Sequence, residues 1–205
     1  MPVPVTVTHG FQPRAGLVRV TGDGVSRGMP AAPAPFSALL VPVPAAEWLV
    51  AGRPLDSGYA AGLVVPAHLT LLAPFAPRDE LTDGVVTELD GLFADVVPFP
   101  FELSRASRFP EGPAYLAPDP PAPFRHLVNE LGRAFPEYPP YEGRFDEVVP
   151  HVTVPLRNGE GLDDLQRLVD DHGPVRALAA EAQLVWVDGE GVEVVAHFPF
   201  GTTAA

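Results

Sequence analysis

Pro66-Ala67-His68-Leu69-Thr70-Leu71 reads as a β-strand, and Val149-Pro150-His151-Val152-Thr153-Val154 is its counterpart further along the chain. Side chains alternate faces along a strand, so His68 and Thr70 point the same way, as do His151 and Thr153. Leu69, Leu71, Val152 and Val154 point to the opposite face, where helices can cover them. Each strand thus offers an imidazole and a hydroxyl to one surface while its other face anchors in apolar packing.

Outward from these strands, the elements repeat. Before the first, residues 38–43 form a short apolar run closed by Pro42 and Pro44, a strand near a sheet edge, and residues 45–55 a helix. The His68 strand spans 67–72. A helix over 79–96 carries Leu81, Val85, Leu89 and Leu92 at spacings of three and four, with Asp79 and Glu80 near its N-terminus. Strands over 99–109 and 114–117 flank a turn at 110–113. The second half has a helix over 121–135 with proline in its opening turn, and a strand over 149–156. A helix over 162–171 follows, stopped by His172-Gly173-Pro174. Strands over 176–187 and 192–198 meet at a turn over 188–191. Both halves therefore run helix, strand, helix, strand, turn, strand, with a His-x-Thr triplet in the same slot. Such repetition predicts two lobes related by a pseudo-twofold axis, with the equivalent strands facing each other across a groove.

Residues 1–36 are punctuated by Pro, Gly and Ala without sustained periodicity, apart from a short alternation over 17–20 that suits a stray strand. We expect a loosely attached extension there, a two-lobed domain over 37–201 and a tail over 202–205.

Composition narrows the chemistry. The 205 residues fit one domain or two small lobes sharing a core, and 46% of them are hydrophobic. There is no cysteine, which excludes disulfides, thiolate metal sites and a cysteine nucleophile, and suits a reducing cytoplasm. The formal charge of −13 repels long polyanions, so a nucleic-acid substrate is expected to be small, or a chain end held in a locally basic pocket. All 13 cations are arginine. No apolar run reaches bilayer-spanning length, and the N-terminus lacks a secretory pattern; a soluble cytoplasmic monomer without membrane contact is the expectation.

Brought together by the pseudo-twofold, the two strands make a cradle suited to a phosphoryl group. Threonine donates to non-bridging oxygens, and histidine donates or accepts according to its protonation. An unperturbed imidazole titrates at about 6.5, so one can be neutral and the other charged. The neutral one takes a proton from the attacking oxygen; the charged one protonates the leaving oxygen. Each role is typically worth about 100- to 10,000-fold. Neither a metal nor another cofactor is required. A single His-x-Thr on a half-buried strand is usually structural; two copies in matching slots argue for a shared site. Zinc wants three or four protein ligands, and these triplets supply one each. No Gly-x-Ser-x-Gly elbow and no Gly-x-x-x-x-Gly-Lys loop is present.

The other histidines carry less. His172 reads as a helix C-cap, His126 as solvated, His9 as part of the extension, and His197 as an outsider that could point inward. Arg105, Arg108, Arg125 and Arg144 lie between the motifs and could reach a phosphate or base, although pairing with nearby acids is the commoner fate. Phe75, Phe109 and Tyr115 could stack on a base, with core packing the simpler reading.

At PAHLTLLAPF (66–75) and VPHVTVPL (149–156) the chain resembles the two-histidine phosphoesterase superfamily, in particular its 2′-5′ RNA ligase-like branch. The likeness extends over the order of elements from Ser37 to the closing VVAHFPFG (194–201). It implies a bilobal α+β fold of two antiparallel sheets flanked by helices around a groove. It also implies hydrolysis of 2′,3′-cyclic phosphates to 2′-phosphates and, in some members, reversible 2′-5′ RNA ligation. Carried over, His68 and His151 are the acid and base, in either order, and Thr70 and Thr153 the phosphate ligands, with no metal. The substrate is then a small nucleotide or an RNA 3′ end bearing a cyclic phosphate. From a different class, the alternative is a module that binds cyclic or 2′-5′-linked nucleotides without processing them.

Overall fold

The structure, a computed structural model, describes residues 34–110, 112–145 and 147–201. Its elements run β1 (Phe36–Pro42), α1 (Glu47–Val50), β2 (His68–Leu72), α2 (Asp83–Ala94), β3 (Phe99–Arg108), β4 (Ala114–Asp119), α3 (Ala122–Ala134), β5 (Val152–Thr153), α4 (Leu162–His172), β6 (Val175–Ala179), β7 (Glu181–Asp188) and β8 (Gly191–Pro199). They build two antiparallel sheets, ordered β2-β1-β7-β8 and β5-β4-β3-β6. The fold is α+β, and each His-x-Thr triplet lies on or against the edge strand of its own sheet.

The halves exchange strands. The first half places β1 and β2 in one sheet and β3 and β4 in the other; the second half returns β5 and β6 to the latter and β7 and β8 to the former. This corrects the single strand expected over 176–187, because Ala180 separates β6 from β7 and they belong to different sheets. Burial shows why. Val175 and Ala179 are buried at odd positions, Ala182 and Leu184 at even ones, so the alternation changes phase at the switch.

Helix ends follow local chemistry. The helix expected over 45–55 is only a 3-10 turn at Pro44–Ala46 and the single turn of α1, because the chain enters the left-handed region at Gly52 (φ 69°). The helix expected over 79–96 starts later, where the Thr82 hydroxyl accepts from the Val85 N–H at 3.4 Å; Arg78–Glu80 is a separate 3-10 turn. α4 does stop at His172-Gly173, with Gly173 at φ 79°.

One continuous core lies beneath both sheets. Leu39, Leu69 and Leu71 of the first meet Leu103, Leu116 and Val152 of the second, with Phe93, Phe124 and Val169 from three helices. Fully burying such side chains contributes about 1.5–3 kcal/mol each. A smaller apolar cluster of Ala38, Leu40, Ala73, Val185 and Val187 covers the other face of the first sheet. β1 is therefore buried on both faces and sits between β2 and β7 rather than near an edge. Pro42 ends the strand, where its missing N–H interrupts no ladder interior. Among the described residues no helix is long and apolar enough to cross a membrane. The expected stray strand over 17–20, the remainder of the N-terminal extension to residue 33, and the tail over 202–205 lie outside the described residues.

Candidate functional site

β2 runs beside β1, with His68 opposite Pro42 and Thr70 opposite Leu40. Cross-strand partners share a face, so His68 and Thr70 lie on the side opposite the main core, while Leu69 and Leu71 are buried within it. In the other sheet Thr153 is opposite Tyr115 and Val152 opposite Leu116. The strand expected over 149–156 is only two residues long, and His151 lies just before it. The alternation nevertheless holds, with Val152 and Val154 buried and His151 and Thr153 half-buried. β2 and β5 approach each other, and a small cavity between them has His68 and Thr153 in its wall together with Arg53, Pro66 and Pro155.

Both imidazoles are held alike. His68 Nδ1–H donates to the Pro66 carbonyl at 2.7 Å and His151 Nδ1–H to the Val149 carbonyl at 2.8 Å. A carbonyl only accepts, so each ring carries its proton on Nδ1 when neutral and titrates at Nε2. Burial lowers the proton affinity of both. For His68 this is opposed by the Pro66 carbonyl and then by the Glu47 carboxylate. For His151 the Val149 carbonyl opposes it, while the neighbouring His68 lowers the affinity further. Two imidazoles within each other's field, with different surroundings, titrate as a coupled pair.

The surroundings differ. Glu47 of α1 accepts the Ala67 N–H at 2.8 Å, fixing the entry to β2. His151 stands edge-on to Phe109 and Tyr115, which stack on each other with centroids 4.3 Å apart. These two rings thus line the candidate site, whereas Phe75 is buried against Phe135 and Tyr138.

Three residues that no motif marks also reach this region. Glu47 is the first. Arg53 is buried and spans to the far side, its Nη1 donating to the Pro155 carbonyl at 3.1 Å and to Glu160 at 3.2 Å. Tyr141 has Thr70 near its side chain, and its backbone N–H bonds the Ala73 carbonyl at 2.8 Å. Tyr141 and Glu142 both have positive φ, 52° and 57°, sparsely populated for residues with a side chain. Tyr59 donates to Glu142 at 2.8 Å, and Arg144 pairs with Glu142 and lies over the Tyr59 ring, holding this loop shut. Burial, with Tyr59 nearby, pushes the Tyr141 phenol up to about 12, so it stays a hydroxyl.

Of the remaining sequence candidates, Arg144 lies on the loop of Tyr141 and the others lie elsewhere. Arg125 pairs with Glu147 and Arg144 with Glu142, while Arg105 and Arg108 are exposed. His197 is exposed beside Glu181 rather than directed inward, because β8 is an edge strand whose outer face is open. His126 is exposed on α3. His172 does cap α4, bonding the Leu168 carbonyl at 2.9 Å, and also stacks on Trp48. Among the described residues no group of three or more His, Asp or Glu side chains converges as a metal-binding set.

Residues 41–191 match the model of the 2′-5′ RNA ligase superfamily. The chain belongs to that superfamily. Its membership makes it an enzyme of the phosphoesterase type. A crystal structure of a phosphoesterase superposes with a TM-score of 0.51 at 17% identity, covering 80% of this chain and 98% of the other. The E. coli LigT complexed with 3′-AMP gives 0.53 at 18% identity, with 80% and 97% covered. LigT complexed with NADP+ gives 0.50 at 17%, with 81% and 97% covered. At these identities the superpositions establish the shared fold. No curated protein matches the chain by sequence.

Proposed function

We propose that this 2′-5′ RNA ligase superfamily member hydrolyses 2′,3′-cyclic phosphates to 2′-phosphates with His68 and His151 as its proton-transfer pair. The observation that carries the reading is the meeting of His68 and Thr153, one from each triplet, in the wall of one cavity between the two edge strands. A phosphoryl group placed there meets the His68 imidazole of one half and the Thr153 hydroxyl of the other, and Thr70 and His151 lie on the same outward faces of their segments. That LigT is a nucleotide-bound relative of the same fold supports a nucleotide as ligand.

The bias between the rings suggests their order. Glu47 favours a proton on His68, whereas His68 disfavours one on His151. His151 Nε2 is then the base that takes a proton from the attacking water, and His68 is the acid. Water oxygen bonds to phosphorus, the bond from phosphorus to ribose O3′ breaks, and His68 delivers its proton to O3′. Thr70 and Thr153 donate to the non-bridging oxygens as charge builds there. With a ribose 5′-hydroxyl in place of water, the same geometry would join two ends through a 2′-5′ linkage.

The test is a panel of 2′,3′-cyclic mononucleotides and 2′-5′ dinucleotides incubated with the full chain in chelator, with products resolved by phosphorus NMR. A 2′-phosphate product, lost in His68→Ala and His151→Ala, supports the reading. A 3′-phosphate product would contradict the proposed leaving group. A tight complex with intact ligand after long incubation would instead favour a binding module.

A further inference from the structure

Arg53 lies just beyond α1, between Gly52 and Pro54. Its side chain is 9% exposed, the most buried cation among the described residues, and reaches across to the chain that follows Thr153. Protein acceptors meet only one end of the fork: Nη1 donates to the Pro155 carbonyl and to Glu160, while Nε is buried with no partner among the described residues. Leaving a donor of a charged group unpaired in the interior is costly, and few native groups do so without a reason.

The position supplies one. The guanidinium forms part of the wall of the cavity that holds His68 and Thr153, and among the described residues no other arginine lines it. A phosphodiester docking against that wall meets the His68 imidazole, whose proton affinity burial has lowered, on a chain with a formal charge of −13. A cation fixed at this point offsets that field locally. Glu160 does not use up the charge in a two-point pair. It makes one contact at 3.2 Å and is 30% exposed, and the same carboxylate oxygen accepts the Arg157 N–H at 2.8 Å. Glu160 therefore keeps a backbone partner if the guanidinium turns towards a ligand. Tying the two lobes together accounts for Nη1, but that needs a single donor and leaves the rest of the fork unexplained.

We propose that Arg53 is a phosphate-binding residue, its guanidinium taking a non-bridging oxygen of the ligand held between His68 and Thr153. This deepens the proposed function and rests on the same cavity. Its test is binding, so that it does not depend on turnover. Adenosine 2′-monophosphate and inorganic phosphate are titrated calorimetrically, at low salt, into the full-length wild type and into Arg53→Gln, Arg53→Lys and Glu160→Gln, with melting followed by circular dichroism.

Arg53→Gln should weaken the nucleotide by about 10- to 100-fold, the usual loss for a charged hydrogen bond. Arg53→Lys should keep the charge but not the fork and lose several-fold, and Glu160→Gln should bind at least as tightly as wild type. Wild-type affinity in folded Arg53→Gln overturns the proposal. So does an equal loss in Glu160→Gln, which would mark Arg53 as a tie between lobes only, or failure of the wild type to bind either probe. If Arg53→Gln does not fold, Arg53→Lys decides, because a tie alone predicts wild-type affinity for it. Turnover separates the two proposals: Arg53-dependent binding without cyclic-phosphate hydrolysis keeps this one and removes the proposed hydrolysis, whereas hydrolysis equal in Arg53→Gln does the reverse.

Discussion

The two His-x-Thr segments are nearly the same in sequence and are held by different means. Around His68 the backbone does the work: β2 pairs with β1 from His68 to Leu72, and Glu47 fixes the strand's entry through the Ala67 N–H. Around His151 side chains do it, since β5 is two residues long and the ring rests edge-on against Phe109 and Tyr115. One imidazole thus has a carboxylate in its field and the other has aromatic edges. An acid and a base need different proton affinities, and unequal support around equal motifs is a direct way to produce them.

The sharpest way to break this comparison is to remove either ring. His68→Ala and His151→Ala should each lower kcat on a 2′,3′-cyclic nucleotide by at least about 100-fold. The double variant should be little worse than either single one, because the rings act as a unit. Additive losses in steady-state kinetics would mean that they do not share a substrate.

Next in size are the hydroxyls. Thr70→Val and Thr153→Val should each cost about 5- to 10-fold in kcat/KM, the value of a typical hydrogen bond. Tyr141→Phe should act in the same direction as Thr70→Val and add little to it, since the two side chains are neighbours. A double-mutant cycle measures that coupling.

The pH profile sharpens the assignment. Because burial lowers both rings below the ordinary 6.5, the kcat/KM optimum should fall on the acid side of that value. Glu47→Gln removes the group that favours a proton on His68, so the limb at which activity falls with rising pH should move to lower pH. Phe109→Leu, which admits water to His151, should move the other limb upward. Profiles that shift together, or not at all, would erase the proposed order.

The smallest effect is on stability. Between the depressed folded values and about 6.5 the unfolded chain takes up protons that the folded rings refuse, so stability falls as pH drops through that window. A His68→Gln, His151→Gln double variant lacks this loss. Its melting temperature should gain on the wild type as pH falls from 7 towards 5.

What was legible in the chain was what depends on short-range pattern. The period-two alternation around His68 and His151 gave the presenting faces, and the stop at Gly173 gave the end of α4. The exchange of hairpins was not legible as read, because 176–187 looks like one β-rich run and the change of phase at Ala180 is a single residue. Glu47, Arg53 and Tyr141 were missed for another reason. Each acts over a contact far along the chain, as Arg53 does on Pro155; Arg53 and Tyr141, beside glycine or proline, look like any surface turn, and Glu47 looks like any carboxylate on a helix surface. The positive φ at Tyr141 and Glu142 was equally hidden, since neither residue type favours that region.

The passage through Ala180, from one sheet directly into the other, bears on what a piece of this chain can do. A fragment ending before β5 would hold β1 and β2 without β7, and β3 and β4 without β6, so neither of its sheets would be closed. Produced as separate polypeptides, the two halves would each expose unsatisfied strand edges and apolar faces. They should recover order only on mixing, by complementation rather than by side-by-side docking.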